Sequence, residues 1–292
     1  MILITTSLGG MSFLSFNNGL LVAYFSYLGI PSATILILLA LLPLSRFVFM
    51  IPFSYLSDIY GKKLIGNFGM VLSIFGFFLM AVASVISETD ITLVVSLGAG
   101  VFGIGSALFT GSWIALLHPI IPENIRGRFF GQLRTTWQSF AIVLTVVAIY
   151  ILEQYPTLGM YQAVIGFIAI LMAVRMIYYQ RIPELDKIMP KKETFRKSFL
   201  KVLAIPEYLS FCAYCFLLAL FTGACPQIFN LIEKDILHLS KVEMVFIGNL
   251  LFVGALAGFF LGGRMVDKIG TKYVFLWCHF GFSLILFLFL WR

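Results

Sequence analysis

Arg46 stands inside an apolar run between Pro43 and Pro52. It lies about 11 residues before Ser57, roughly 16 Å deep at 1.5 Å per helical residue. A charge at such depth in lipid is costly and reads first as functional. It is also too deep to snorkel comfortably. Its chemistry would be to bind an anion or to gate a path for one. The alternative is a structural arginine bonded to carbonyls that the flanking prolines free. Uncharged polar stripes accompany it. Thr6, Asn17 and Tyr24 are spaced by 11 and 7 residues, which puts them on one face of a continuous helix. Ser106, Thr110 and Trp113 form a second stripe, and Arg134 and Gln138 a third. Gln227 and Asn230 follow Pro226, at a bend. Each stripe could hold solute or bond one helix to another.

Other chemistry is poorly supplied. No deep Asp or Glu offers proton coupling through a carboxylate. His118, His238 and His279 stand alone and read as structural. Cys212 and Cys215 have CxxC spacing, but Cys225 and Cys278 form no second pair, so neither a metal site nor a disulfide framework is expected. An intramembrane enzyme would need clustered His, Asp or Glu. The expectation is a protein that is not an enzyme and takes no cofactor or metal.

The elements that position these residues follow from composition. Of 292 residues, 61% are hydrophobic and 11% are charged, and the mean hydropathy is +1.02. Soluble chains average about 45–50% apolar and about 25% charged. The balance excludes a soluble enzyme, a nucleic-acid-binding domain and a disordered chain. The partner is a lipid bilayer, with no nucleic acid. The N-terminus has no basic region, and its apolar stretch is too long for a secretory signal.

Spans of about 20 apolar residues fall in nine places. They are 3–28, 32–56, 64–86, 91–117, 130–152, 158–179, 207–231, 242–261 and 273–291. Helices are expected throughout, because backbone in lipid must satisfy its own hydrogen bonds. Sixteen basic residues fall on the loops of one side, and only Lys234 and Lys241 on the other. That asymmetry places the N-terminus in the cytoplasm, in a multi-pass protein of the cell (inner) membrane. Residues 181–206 carry seven basic and three acidic side chains. Phe195, Phe199 and Val202 share a helical face there. The segment reads as an amphipathic helix on the membrane surface or as a flexible charged linker. It divides the chain into a six-helix half (1–180), a basic cytoplasmic loop (181–206) and three helices of a second half (207–292).

One pattern occurs twice. Asp58, Gly61 and Lys63 follow the second span, with Lys62 between the last two; Asp267, Gly270 and Lys272 follow the eighth. The Asp-x-x-Gly-x-Lys spacing recurs at matching places in two halves, as in secondary transporters built from parallel repeats. The chain here resembles the major facilitator superfamily, whose signature between helices two and three is Gly-x-x-x-Asp-Arg/Lys-x-Gly-Arg-Arg/Lys. Gly263, Asp267, Lys268, Gly270 and Lys272 fit it, with Thr271 off pattern. The first copy has Ser54 and Ile59 where the family has glycine and a basic residue. The segment Pro122–Gly131, with Arg126 and Arg128, is similar to the family's loop between helices four and five. Gly98, Gly100, Gly103 and Gly105 suit its tightly packed fourth helix.

The resemblance implies an all-α integral membrane protein, a major-facilitator-like bundle of six helices plus three of a second half. It implies secondary active or facilitative transport of a small solute by alternating access. The cavity would be lined by helices one, four, seven and ten. The solute would be an organic anion or polar metabolite, held by Arg46 with Asn17, Tyr24, Thr110, Trp113, Gln138, Gln227 and Asn230. Asp58 and Asp267 would latch one half against the other on a facing helix N-terminus, or else simply end a helix in water. A drug–proton antiporter is disfavoured, since helix four has no arginine and helix five no Gly-Pro motif. The family usually has twelve helices, so a partial chain is expected, with Asp58's partner in the eleventh. The alternative function is a non-transporting membrane sensor or an inactive truncated remnant.

Overall fold

The computed structural model describes residues 1–86, 90–185, 194–223, 225, 229 and 232–290. Among them the regular structure is helical. The elements are α1 (Ile2–Leu14), α2 (Leu20–Tyr27), α3 (Ser32–Tyr60), α4 (Lys62–Ala81), α5 (Ala83–Ile86) and α6 (Ile91–Leu117). They continue with α7 (Arg126–Gln154), α8 (Leu158–Gln180), α9 (Phe195–Leu203), α10 (Pro206–Thr222), α11 (Lys241–Ile269) and α12 (Thr271–Leu290). Among the described residues, six helices are long and apolar enough to cross a membrane, or seven if α9 and α10, bent by 89°, count as one span.

The expected first span is broken. Residues 15–19 separate α1 from α2, and Gly19 has φ +81°. The sequence there is Asn17-Asn18-Gly19, which is turn chemistry. The Asn18 carboxamide oxygen accepts from the Leu20 N–H at 3.2 Å, and the Asn17 side chain donates to the Phe13 carbonyl at 3.2 Å. These local bonds compete with the helix ladder. Asn18 also donates to Thr145 Oγ1 at 3.3 Å, which fixes the break against α7.

Helix ends follow the repeat. Single glycines join α3 to α4 and α11 to α12. Gly61 has φ +104° and Gly270 has φ +85°, a region costly for residues with a Cβ. Ser240 and Glu243 form a reciprocal capping box at the start of α11. The stretch expected to be amphipathic is the helix α9. Its Phe195 lies 5.3 Å from the Tyr55 ring, so α9 sits at the end of α3.

Packing is concentrated in the first six spans. α4 and α6 lie closest, α3 packs on α6, and α8 lies against α1 and α4. The second half meets the first through α11 on α7. Among the described residues, Met244 is the one buried apolar side chain beyond residue 206. Outward faces are strongly apolar, with Phe47 78% and Phe221 76% exposed. Such faces are at ease only in lipid.

Candidate solute site

Six helices, α1, α3, α4, α6, α7 and α8, surround a cavity of about 170 Å³. Pockets for drug-sized ligands hold about 300–1,000 Å³, so this one suits a small solute. Arg46 enters from α3 and Arg175 from α8. No carboxylate is among the described residues that line the cavity.

Arg46 is anchored by a hydroxyl. Its Nε and Nη2 donate to Ser106 Oγ at 3.2 and 2.7 Å. Its guanidinium carbon lies 4.7 Å from the Phe13 ring centre. Carbonyls freed by the prolines are not among these partners. Ser106 accepts both bonds and keeps its own O–H to donate. Other lining hydroxyls are spent on their own helices: Ser12 donates to the Gly9 carbonyl at 2.8 Å and Ser73 to the Gly69 carbonyl at 2.8 Å. Their lone pairs remain to accept from a hydroxylated solute.

Two adjacent glycines shape the α1 wall. A Cβ at Gly9 would meet the Arg175 guanidinium, with Nε at 2.6 Å, and one at Gly10 would meet the Trp137 ring at 2.5 Å. Both side chains therefore lie directly on the α1 backbone. On the α6 wall, the Phe109 and Trp113 rings stack at 5.5 Å.

The expected binding residues divide by position. Arg46, Thr110 and Trp113 line the cavity, as do Thr6 and Ser106. Tyr24 does not. It is fully buried in the core and donates to the Met80 and Ala81 carbonyls at 2.9 and 3.3 Å. Asn17 is bonded to its own helix end at the break. The break is why the 11-and-7 spacing fails, because a shared face needs an unbroken helix. Gln138 is buried and donates to the Phe252 carbonyl of α11 at 3.1 Å. Arg134 lies 5.5 Å from the Phe259 ring, also on α11. That stripe bonds the two halves together. Gln227 and Asn230 lie outside the described residues. Arg175 was counted in sequence as a loop charge. Its signal was its place five residues inside the helix end, on the face of buried Met172 and Tyr179.

The repeated motif occupies one end of the bundle. The Asp267 carboxylate accepts from the Arg128 backbone N–H at 2.9 Å, in the first turn of α7. Gly127 makes room for it, since a Cβ there would collide with the carboxylate, with Cγ at 3.1 Å. Gly131 and Gly263 hold the backbones close beside it: a Cβ at Gly263 would lie 3.1 Å from the Gly131 Cα. Arg126 pairs with Glu123 at 3.7 Å and donates to the Ile121 carbonyl at 3.4 Å. Lys268 and Lys272 are exposed. In the first copy, the Lys62 backbone N–H at the start of α4 donates to Glu184 at 2.7 Å, and Lys63 Nζ donates to the Gln180 carbonyl at 2.7 Å. Asp58 is half-buried in the last turn of α3.

Asp267→Ala removes a charged cap on an orphan helix N–H. Caps contribute about 1 kcal/mol, so the melting temperature of the purified protein is expected to fall by about 2–4 °C. Asp267→Glu is expected to recover part of that loss. An unchanged melting curve for Asp267→Ala would remove the contact from the energetics of the interface.

A polytopic helical bundle enclosing a small cavity with two arginines is an architecture compatible with a membrane transport protein. A family profile for the Major Facilitator Superfamily matches residues 2–292, and the chain belongs to that family. No individual curated protein matches the chain. Membership makes it a multi-pass membrane protein of a solute-transporting family rather than of an enzyme family.

Proposed function

We propose that the chain carries a small organic anion or polar metabolite across the cell membrane by alternating access. The two halves, 1–180 and 207–292, would rock against each other across the α7–α11 contact, with the solute held by side chains of the first half, and would be joined by the basic loop 181–206 on the cytoplasmic side with the N-terminus. Arg46 is the anion-binding residue, with Ser106, Thr110 and Trp113 beside it. The observation that carries this reading is Arg46 in a small cavity with no carboxylate among the described residues that line it. A guanidinium so placed needs an anion, and a carried anion can supply it.

The test is uptake into vesicles that hold the full-length protein, with radiolabelled lactate, succinate and glycerol phosphate. Saturable uptake of at least one is expected, with mutual competition among them. Lack of saturable uptake of any anion would overturn the reading. Saturable binding without flux would also overturn transport and leave a non-transporting sensor.

A further inference from the structure

Arg46 is one of two cations among the described residues that line the cavity. Arg175 lies one helical turn away from it on both facing walls. On α1, Arg175 rests against Gly9 and Arg46 against Phe13, a step of four residues. On α6, Arg46 bonds Ser106 and Arg175 covers Phe109, a step of three. At 1.5 Å per residue, the two walls set an axial offset of about 4.5–6 Å. The Arg175 guanidinium carbon is 3.8 Å from the Phe109 ring centre. Its Nε is shut off from solvent and has no hydrogen-bond partner. Gly9 leaves the space that the guanidinium fills.

We propose that Arg46 and Arg175 form a two-guanidinium clamp selecting a small dianion whose negative oxygens span about 6 Å or less. The inference rests on the anion reading above and deepens it. Two forks of rigid N–H donors match a phosphate-type head or a pair of carboxylates. A monoanion would leave one guanidinium uncompensated. Phe109 and the bare α1 backbone at Gly9 fix where the second charge must lie. The hydroxyl lone pairs of Ser12 and Ser73 suit a solute that also carries hydroxyls.

The test is calorimetric binding to the purified full-length protein in lipid nanodiscs. Lactate is the monoanion probe; succinate and glycerol phosphate are the dianion probes. At least one dianion is expected to bind roughly 10- to 100-fold tighter than lactate, the worth of one charge-assisted interaction. Arg175→Gln is expected to erase that preference, lowering dianion affinity about 10- to 100-fold and lactate affinity by a smaller factor. Gly9→Ala keeps the charge but pushes the guanidinium aside, and is expected to erase the preference too, so the clamp stays testable if Arg175→Gln does not fold. Preference for glycerol phosphate assigns both guanidiniums to one head; preference for succinate assigns one to each carboxylate. Wild-type protein that binds lactate as tightly as both dianions overturns the clamp alone. So do variants that keep the dianion preference. Folded wild-type protein that binds none of the three probes overturns the anion reading itself.

Discussion

Arg46→Gln is expected to lower anion affinity by about 3 kcal/mol or more, roughly a hundredfold, because truncating one partner of a desolvated charge pair costs about 2–5 kcal/mol. Saturable uptake at micromolar solute should then disappear. Stability should move the other way. Arg46 leans on a neutral hydroxyl, Ser106, and on the Phe13 ring, and no carboxylate is among the described residues lining the cavity. Arg175 brings a second like charge into the same cavity, and two such charges a helical turn or more apart repel by up to about 3 kcal/mol at an effective dielectric of 20. Removing one relieves that repulsion and forfeits a cation–π contact of about 1 kcal/mol. The variant is therefore expected to melt at the wild-type temperature or above it while failing to transport. Arg46→Lys keeps the charge but cannot make both bonds to Ser106, so an intermediate loss of about tenfold is expected. A structural arginine predicts the opposite pairing, lost stability with transport intact in what folds. The two readings of Arg46 that the sequence leaves open are thus separated by measuring uptake and melting on one variant.

What the sequence made legible depended on how local each signal was. The span 91–117 coincides with α6, because an apolar run with clean polar flanks fixes both of its ends. The first span did not survive. Its composition is apolar throughout, but Asn17-Asn18-Gly19 carries the turn chemistry that breaks it, and hydropathy averages over that signal. Tyr24 was misplaced for the same reason. Arg175 was hidden differently. Near a helix end, an arginine that snorkels and one that turns inward look alike in sequence. Only the Gly9 gap on another helix, far away in the chain, tells them apart. The Asp267 contact needed the fold as well. The motif supplies a carboxylate at a helix end, but its partner, the Arg128 N–H, lies 139 residues away.

Gly105→Ala is expected to be among the most destabilising single-methyl additions in the chain. A Cβ at Gly105 would lie 2.6 Å from the Gly69 carbonyl oxygen and 2.6 Å from the Ser73 nitrogen. Two turns along, a Cβ at Gly76 would lie 2.5 Å from the Phe102 nitrogen and 2.6 Å from the Gly98 oxygen. The glycine run on α6 was visible in sequence. Its partners Gly69 and Gly76 on α4 show that two antiparallel rungs, seven residues apart on each helix, set this packing. Backbone atoms cannot swing aside as a side-chain end can, so the helices must part. Lipid offers no hydrophobic gain to offset lost contact, because helix association there rests on close packing. Overpacking costs about 1–3 kcal/mol, and clashes with two backbone atoms put Gly105→Ala near the top of that range. Gly76→Ala parts the same two helices, so the double variant is expected to cost less than the two single costs added. Gly100 is the control, since a Cβ there meets nothing within 4 Å; Gly100→Ala should be neutral, or stabilising by about 0.5–1 kcal/mol. Thermal unfolding of the purified protein distinguishes these cases, and equal melting of Gly105→Ala and Gly100→Ala would refute the rung. The effect should reach the cavity too. Ser106 follows Gly105 directly and holds Arg46, so any parting of α6 from α4 carries the arginine's anchor with it. Anion affinity should therefore fall in Gly105→Ala even in the fraction that stays folded.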